Sequence, residues 1–371
     1  MTQQSHFVTY NFEFERTIRI GFIGAGGHSF RNVYPTFQYA PIDLVAVCDQ
    51  DGQRAKAYAR QFGAKTFYTD YHAMMKQEEL DAVFIVTAYH PDGRVQATDI
   101  ALEALRHGLH VWMEKPTAAS VGEVQQLIAA SHESGKYVMT GLKKIFFPAI
   151  EKVKEIVSST EFGEVTSMSI RYPQSMPPFE RRSQLPEMRS VLDHIFHPAA
   201  IIHYLMGKIG TLQLEREPVH GASLSTFRFL SGAIGTLHMA AGASGSSPLE
   251  RLEIIGEHAN VVVDNGVKVT YYRKTKGLGY GRSSTFLVDT AEAALHWEPE
   301  FSLGQLYNKN IFMLGYVQEV NHFCNSVLEG HPPTKGKLDE ALEIVKLFEA
   351  YCRTPDGEKT TINKESPLRF F

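Results

Sequence analysis

The hydrophobic residues of this chain follow two different patterns, one in each half. In the first half, short apolar runs alternate with segments in which apolar residues recur at helical spacing. The apolar runs predict buried strands over 17–23, 42–49, 82–86, 110–114 and 137–140. The segments between them predict helices over 53–62, 71–77, 99–107 and 120–134. Because strands and helices that alternate in this way form βαβ units, we predict a parallel sheet with right-handed crossovers.

The second half is rich in strands instead. Partial polar and apolar alternation predicts strands over 164–172, 211–216, 222–230, 234–241, 251–256, 259–264 and 267–273. Asp264-Asn265-Gly266 lies between the last two and is a strong signal for a hairpin turn. Helices are predicted again over 315–328 and 338–351. We therefore expect an α+β domain with a mainly antiparallel sheet, covered by helices on one face and open on the other.

The change of pattern also divides the chain into domains, and 371 residues are enough for two hydrophobic cores. We predict an N-terminal extension, a nucleotide-binding domain and a domain for substrate binding and oligomerisation, over residues 1–16, 17–145 and 146–371 respectively. The glycine-rich and aromatic stretch 277–309 predicts an elaborated loop. The predicted fold class is thus α/β, a parallel-sheet domain followed by an α+β domain with an open sheet.

The open face of the second sheet is the predicted contact surface. Alternate positions on its strands, such as Leu237, Met239 and Ile254, could make this face apolar. Because broad apolar patches usually mark interfaces, we expect a homo-oligomer, either a dimer or a tetramer.

Composition narrows the class of protein. The net charge of −4 gives no reason to expect nucleic acid or an anionic membrane as a partner. The three cysteines are far apart and fit buried thiols in a reducing compartment: Cys48, Cys324 and Cys352. The chain has no apolar run long enough to span a membrane and no secretory signal at its start. We expect a cytoplasmic protein.

A glycine-rich turn, Gly24-Ala25-Gly26-Gly27-His28-Ser29, follows the first predicted strand and leads into a helix. Its spacing differs from the dinucleotide fingerprint only at the last position, where Ser29 replaces a glycine. Gly24 would form the tight turn, and Gly26 would let the backbone approach a pyrophosphate at the helix N-terminus. An ordinary glycine turn is the alternative interpretation.

Asp49 ends the second predicted strand, at the distance from the turn where an acid meets the ribose hydroxyls of NAD. Its carboxylate would repel the 2′-phosphate of NADP, and Asp51 adds a second acid, so we expect NAD to be preferred. Arg54 is the one nearby cation that could bind the phosphate instead. The alternative for Asp49 is a simple turn residue.

Lys115 follows the predicted strand 110–114 and precedes Pro116. The carboxyl ends of parallel strands are where open α/β sheets bind ligands. Pro116 restricts Lys115 to extended conformations, so the ammonium group has little freedom. A lysine that loses part of its hydration there can transfer a proton near neutral pH. A surface lysine at a strand end is the alternative.

Asp193 and His197 are four residues apart on a predicted helix and therefore share a face. Histidine is the natural acid and base near neutral pH, and a neighbouring carboxylate can orient it. There are two alternatives. His197 could be a core histidine with satisfied hydrogen bonds, or Asp193, His194 and His197 could form a metal site. The metal site lacks a fourth ligand at a recognisable spacing. Pro198 should kink the helix or begin a new one.

Together these residues make the chain resemble the glucose-fructose oxidoreductase / inositol dehydrogenase (Gfo/Idh/MocA) family of NAD(P)-dependent oxidoreductases. The resemblance covers residues from about 17 to 365. The motifs that carry it are the glycine turn, Val47-Cys48-Asp49, the segment from Gly108 to Pro116 and the segment from Leu192 to His197. It implies a Rossmann domain followed by an α/β domain whose open sheet often forms subunit interfaces.

The resemblance also implies roles for single residues. Lys115 matches the catalytic lysine, His197 the histidine that exchanges a proton with the substrate hydroxyl, and Asp193 the acid that orients both substrate and histidine. Glu114 would pack beside the nicotinamide. The expected cofactor-binding residues are Gly24, Gly26, Gly27, His28, Ser29, Asp49, Arg54, Thr87, Glu114 and Lys115. No metal site is expected.

Departures from the family pattern surround the expected substrate pocket. Ala200 stands where many members have an acid, and Met188-Arg189-Ser190 replaces the usual glycines. The segment 88–94 is longer than usual, and Gln96 or Ala97 falls near the position of a family histidine. The aromatic residues that could line the pocket are Tyr89, Tyr172, Phe179 and Phe301.

Three functions remain open from the sequence. The first is an NAD-dependent dehydrogenase of a sugar or cyclic polyol, with hydride transfer to nicotinamide and His197 and Lys115 handling the hydroxyl proton. The second is an NAD(P)H-dependent reductase of a keto-sugar or another carbonyl compound. The third is a non-catalytic nucleotide sensor, which would need neither Lys115 nor His197.

Overall fold

The computed structural model describes residues 14–274, 293–299 and 309–364. Its first sheet consists of β1 (Ile18–Ile23), β2 (Ile42–Cys48), β3 (Thr66–Tyr68), β4 (Ala82–Ile85), β5 (His110–Glu114) and β6 (Val138–Gly141). All neighbouring strands are parallel, in the order β3-β2-β1-β4-β5-β6. The predicted parallel sheet is confirmed. The order reverses between β1 and β4, and ligands bind outside the carboxyl ends of strands at such a reversal.

The helices of this domain lie close to their predicted positions. They are α1 (Gly52–Phe62), α2 (Tyr71–Gln77), α3 (Gln96–Arg106) and α4 (Val121–Ser134). The helix predicted after the glycine turn is present, but it is not a regular α-helix. The chain forms a π-helical turn over Ser29–Val33 and a 3₁₀ helix over Tyr34–Tyr39. Pro35 explains this, because it lacks an N–H and would clash with the carbonyl four residues earlier in an α-helix.

A second, larger sheet follows. Its strands are β7 (Ser167–Tyr172), β8 (Ile209–Arg216), β9 (Ser223–Phe229), β10 (Ile234–Met239), β11 (Arg251–Ile255), β12 (Asn260–Asp264), β13 (Lys268–Tyr272), β14 (Leu295–Trp297) and β15 (Lys359–Thr361). Their order is β14-β13-β12-β11-β7-β10-β9-β8-β15, and only the β7–β10 pair is parallel within the described residues. The predicted hairpin joins β12 to β13, with Asn265 and Gly266 both at positive φ. Most of the predicted loop 277–309 lies outside the described residues, but β14 shows that part of it is a strand.

The helices of the second half are α5 (Pro148–Val157), α6 (Leu185–Met206), α7 (Lys309–Met313), α8 (Tyr316–Glu329) and α9 (Leu338–Arg353). Helices α5, α6 and α9 pack on one face of the second sheet, and α9 also packs against α4 and β6 of the first domain. Helix α6 continues through Pro198, so the expectation of a new helix start there is wrong.

The expected apolar open face is also wrong in its residues. Leu237, Met239 and Ile254 are almost completely buried, because they point toward the helices. The positions beside them point outward and are mixed in character, with Ile234 and Ile255 about half exposed. Strict alternation predicts which residues share a face of a strand, but which face is covered depends on packing.

In the described part of the chain, no helix combines the length and the apolar character that a membrane span requires.

Candidate active site

The glycine turn has the geometry that its spacing predicted. Gly24 has φ +109°, and a Cβ atom there would lie 1.8 Å from the carbonyl oxygen of Val86, so only glycine fits. A Cβ at Gly26 would meet no atom within 4 Å, which leaves the space above the turn open. The Ser29 hydroxyl is buried and donates to the carbonyl of Gly24 at 2.9 Å. Ser29 therefore replaces the third glycine by closing the turn with a hydrogen bond.

Asp49 faces this turn from the end of β2. Its Oδ2 accepts from the backbone N–H of Ala25 at 2.8 Å, and its Oδ1 accepts from the N–H of Asp51 at 2.9 Å. Each carboxylate oxygen keeps a further lone pair for a ligand. Arg54 lies beside it, but its guanidinium donates to the carboxylate of Asp51 at 3.3 Å. Asp51 in turn caps α1 by accepting from the N–H groups of Gln53 and Arg54.

A cleft of about 690 Å³ runs over the turn and along the strand ends. It is lined by most of the predicted cofactor residues: Gly24, Gly26, Gly27, His28, Ser29, Asp49, Arg54 and Thr87. The Thr87 hydroxyl is buried and has no hydrogen-bond partner among the described residues, although it borders the cleft. A cleft with an open glycine turn, a carboxylate at the ribose position and an unpartnered hydroxyl fits a dinucleotide.

Lys115 and Asp193 come together across the two halves of the chain. The Lys115 ammonium donates to Asp193 Oδ1 at 2.9 Å and to the backbone carbonyl of Asp193 at 3.2 Å, and its side chain is only 12% exposed. Tyr89 donates to the same Oδ1 at 3.0 Å. Burial acts to raise the pKa of Asp193, but the charge of Lys115 and these hydrogen bonds outweigh it and lower the pKa. Asp193 is therefore an ionised partner for the lysine.

His197 lies one turn further along α6, near the ring of Tyr172 at a centroid distance of 6.2 Å. The Asp193 carboxylate makes no hydrogen bond to it within the described residues, since its partners are Lys115 and Tyr89. Burial lowers the pKa of His197 well below its ordinary value, and the charge of Lys144 lowers it further. The imidazole is thus neutral near pH 7.

Glu114 is buried just before Lys115. One carboxylate oxygen contacts Nε2 of His28 at 3.0 Å, and the other accepts from the N–H of Lys115 at 3.0 Å. His28 also lies 3.4 Å from the hydroxyl of Tyr316, at the start of α8. The predicted residues His28 and Glu114 are therefore in direct contact, and a C-terminal helix completes their surroundings.

Three ionisable residues of the site were not found from the sequence. Lys143 donates to Tyr316 at 2.8 Å, and Lys144 forms a nearly buried ion pair with Glu250. Glu319, on α8, is completely buried, and neither carboxylate oxygen has a hydrogen-bond partner among the described residues. The adjacent lysines follow β6 and so lie at a strand end, which was a usable signal. Nothing in the sequence pattern distinguishes Glu319 from the other polar residues of its helix.

We expect Glu319→Gln to change how stability depends on pH. Burial raises the pKa of Glu319 well above its ordinary value, and Glu114 raises it further. The folded protein therefore keeps a proton that the unfolded chain releases as pH rises, so this group lowers stability by at most about 1.4 kcal/mol per pH unit. Glutamine does not titrate, so the variant lacks this loss of stability with rising pH. Urea unfolding between about pH 5 and pH 8 should show a shallower decline in the variant.

Glu329, at the end of the same helix, supplies the control. Its side chain is exposed, so Glu329→Gln makes the same chemical change at a carboxyl group that water solvates. Parallel stability curves for the wild type and Glu319→Gln would contradict the assignment of a buried neutral acid.

The remaining predicted positions are distributed around this site. Gln96 lines the cofactor cleft, and Ala200 and Met188 are buried in the core. Tyr89 and Tyr172 lie at the site, whereas Phe179 contacts the Arg182 guanidinium and Phe301 lies outside the described residues. No group of three or more histidine, cysteine or acidic side chains is arranged to hold a metal in the described ranges.

Two family models match the chain. The oxidoreductase family with an NAD-binding Rossmann fold matches residues 18–142, and the GFO/IDH/MocA C-terminal domain matches residues 150–262. Myo-inositol 2-dehydrogenase of Thermotoga maritima is 22% identical over 348 residues, which cover 90% of this chain and 95% of that enzyme. A Haloferax volcanii protein named D-xylose 1-dehydrogenase (NADP(+)) 2 is 31% identical over 157 residues. That match covers 42% of this chain and 46% of the relative, so it spans about half of each.

Solved structures agree on the fold. An oxidoreductase from Agrobacterium radiobacter in complex with NAD+, L-tartaric acid and magnesium gives a TM-score of 0.75 at 16% identity, covering 93% of this chain and 98% of that one. The structure of levoglucosan dehydrogenase in complex with NADH gives a TM-score of 0.74 at 16% identity, covering 94% of this chain and 100% of that one. With both family models matched in order along a Rossmann domain and an open-sheet domain, the chain belongs to the Gfo/Idh/MocA family of NAD(P)-dependent oxidoreductases.

Proposed function

We propose that this enzyme is an NAD-dependent dehydrogenase acting on a secondary hydroxyl of a sugar or cyclic polyol. The position of Lys115 is the observation that carries the proposal. Its ammonium group donates to Oδ1 of Asp193 at 2.9 Å, and Asp193 is on the same helix as the neutral His197. The substrate class is supported by relatives named as a myo-inositol dehydrogenase and a xylose dehydrogenase.

The roles of the residues follow from their charge states. Bound nicotinamide would accept the hydride from the carbinol carbon. The neutral imidazole of His197 would take the hydroxyl proton, and the Lys115 ammonium would stabilise negative charge that develops on the substrate oxygen. Asp193 would keep the Lys115 ammonium group in place, since it accepts two of the hydrogen bonds that fix this group.

The reductase of a keto-sugar is the second candidate, and one observation separates it from the first. A reductase needs a protonated group next to the carbonyl oxygen, whereas the lowered pKa of His197 leaves the imidazole unprotonated at neutral pH. Lys115 could still donate, so the reductase stays a candidate. A nucleotide sensor is disfavoured because it would need neither Lys115 nor His197.

The test is a cofactor-reduction assay with a panel of cyclitols, aldoses and sugar acids. Reduction of NAD by at least one member of the panel is the expected result. Reduction of carbonyl compounds by NADH or NADPH, with no oxidation of any hydroxyl compound, would favour the reductase. Nucleotide binding in calorimetry with no turnover in either direction would favour the sensor.

We also propose that NAD is preferred over NADP, and expect Asp49→Ser to relax this preference. The Asp49 carboxylate is fixed in the cleft by two backbone N–H groups, and a 2′-phosphate beside it would be repelled. Arg54 is held by Asp51, which leaves its guanidinium less free to bind the phosphate. The measurement is the ratio of kcat/KM for NAD and NADP, which should move toward NADP in the variant.

Asp339→Ser on the exposed start of α9 is a suitable control, since it removes an aspartate far along the chain from the cleft. A wild-type ratio that favours NADP, as the name of the xylose dehydrogenase relative suggests for that enzyme, would show that Arg54 governs the pocket.

A homo-oligomer formed through the open sheet face remains our proposal, with different residues from those first expected. Ile234 and Ile255 both pair with Ser167 in the sheet, so they flank it on neighbouring strands and are 53% and 44% exposed. Replacing both with arginine should shift the protein to a monomer in light scattering, because two charges cannot be buried there without partners. A wild-type monomer at all micromolar concentrations would contradict the proposal.

A further inference from the structure

The loop between β4 and α3, residues 88–95, has a closed conformation of its own. Tyr89 and Val95 form an antiparallel bridge, and the N–H of His90 donates to the carbonyl of Arg94 at 2.8 Å. Asp92 accepts from the side chain of Arg94 at 2.8 Å. This is the segment that the sequence indicates to be longer than the family pattern.

One side of the loop lies against the start of α6. Gly93 has φ +90°, and a Cβ atom there would lie 3.1 Å from the side chain of Leu185 and from the backbone nitrogen of Pro186. The other side belongs to the cofactor cleft, which Ala88 and Gln96 line. The loop therefore connects the cofactor cleft with the helix that bears Asp193 and His197.

Tyr89 projects from this loop to Asp193. Its hydroxyl donates at 3.0 Å to Oδ1, the same oxygen that accepts from Lys115 at 2.9 Å. The other oxygen of the carboxylate lies 3.8 Å from Nδ1 of His194. Burial and the charge of Asp193 raise the pKa of Tyr89, so the phenol stays a donor at neutral pH.

We propose that Tyr89 is a positioning residue, which holds the Asp193 carboxylate toward Lys115 and away from His194. The proposal rests on the proposed function, because it assigns Tyr89 an effect on the step in which Lys115 takes part. Two donors on one oxygen fix the rotation of the carboxylate better than a single flexible ammonium does. Without the phenol, Lys115 is the one remaining donor to this oxygen among the described residues, and the carboxylate gains rotational freedom.

The first test is Tyr89→Phe, which removes one hydroxyl and keeps the ring. We expect kcat with the best substrate to fall about tenfold to a hundredfold, the range for a hydrogen bond to a charged group. KM for NAD should stay nearly unchanged, because the glycine turn and Asp49 are untouched. Tyr137→Phe is the matched control, since that hydroxyl also donates one hydrogen bond, to Gly330 at 2.7 Å.

The pH profile separates positioning from a general loss of structure. The groups that face Asp193 are Lys115, Tyr89, Tyr172 and His194. Tyr89 contributes to the lowered pKa of Asp193, so its removal should raise that pKa and move the acid limb of kcat/KM to higher pH. A structural defect would lower activity at every pH and leave the limb in place.

The second test needs no substrate. A double-mutant cycle of Tyr89→Phe and Asp193→Ala, followed by urea unfolding, should show strongly non-additive shifts of the midpoint. Additive shifts, or an acid limb that does not move in Tyr89→Phe, would overturn the proposal. A wild type without turnover on any compound of the panel would count against the proposed function, and the cycle would still decide whether Tyr89 holds Asp193.

Discussion

Lys115→Met should lower kcat by about 10²–10⁴-fold, the usual contribution of a positioned acid or base. The ammonium group is nearly buried and makes two hydrogen bonds to Asp193, so it occupies a defined place beside the helix that carries His197. Methionine has a similar length and keeps the apolar contacts of the stem, but it can neither donate a proton nor stabilise negative charge on an oxygen. Steady-state kinetics with the best substrate measures the loss.

Nucleotide affinity should change little in the same variant, because most of the predicted cofactor contacts belong to the glycine turn and Asp49. Calorimetry with NAD measures this separately from turnover. Lys152→Met is the control, since Lys152 forms an exposed ion pair with Glu155 at 2.8 Å and lies outside the site. Near-normal turnover in a folded Lys115→Met enzyme would remove this lysine from the mechanism.

The second large effect concerns the two glycines that flank Ala25. Gly24→Ala should destabilise the fold by about 3 kcal/mol or more, because its Cβ would overlap the Val86 carbonyl and the residue would keep φ +109°. Gly26→Ala should leave stability nearly unchanged, because its Cβ meets no atom within 4 Å. Nucleotide affinity should nevertheless fall at least about tenfold in Gly26→Ala, because the pyrophosphate requires close approach to that backbone.

This pair of variants separates folding from cofactor binding without any knowledge of the substrate. Urea unfolding gives the stability of each variant, and calorimetry with NAD gives the affinity. A Gly26→Ala protein with wild-type affinity would show that the pyrophosphate does not cross this turn. A Gly24→Ala protein of normal stability would show that the backbone near Val86 adjusts more easily than its hydrogen bonds indicate.

The features that the sequence predicted correctly depend on residues close together in the chain. The alternation of apolar runs and helical segments predicted the parallel sheet, since each βαβ unit is a local structure with one allowed handedness. The hairpin at Asn265-Gly266 was found for the same reason. The position of Gly24 in a turn and that of Asp49 directly after a strand also belong here, because both are defined within a few residues.

Short or irregular elements were predicted less well. Strands β3, β14 and β15 have three residues each, which is too short for a hydrophobic period to be recognised. The π and 3₁₀ turns after the glycine turn required attention to Pro35 rather than to the apolar pattern. The burial of Leu237 could not be predicted, because a period of two does not show which face of a strand the helices cover.

What only the tertiary structure decided is the set of partners in the active site. Lys115 and His197 were proposed as site residues from their motifs. The sequence linked Asp193 to His197, whereas the fold brings Asp193 to Lys115 and Tyr89. Glu319 reaches the cofactor side only because α8 returns to the first domain. Local propensity and spacing determine the elements, whereas contacts between residues a hundred or more positions apart depend on how the two domains and their helices pack.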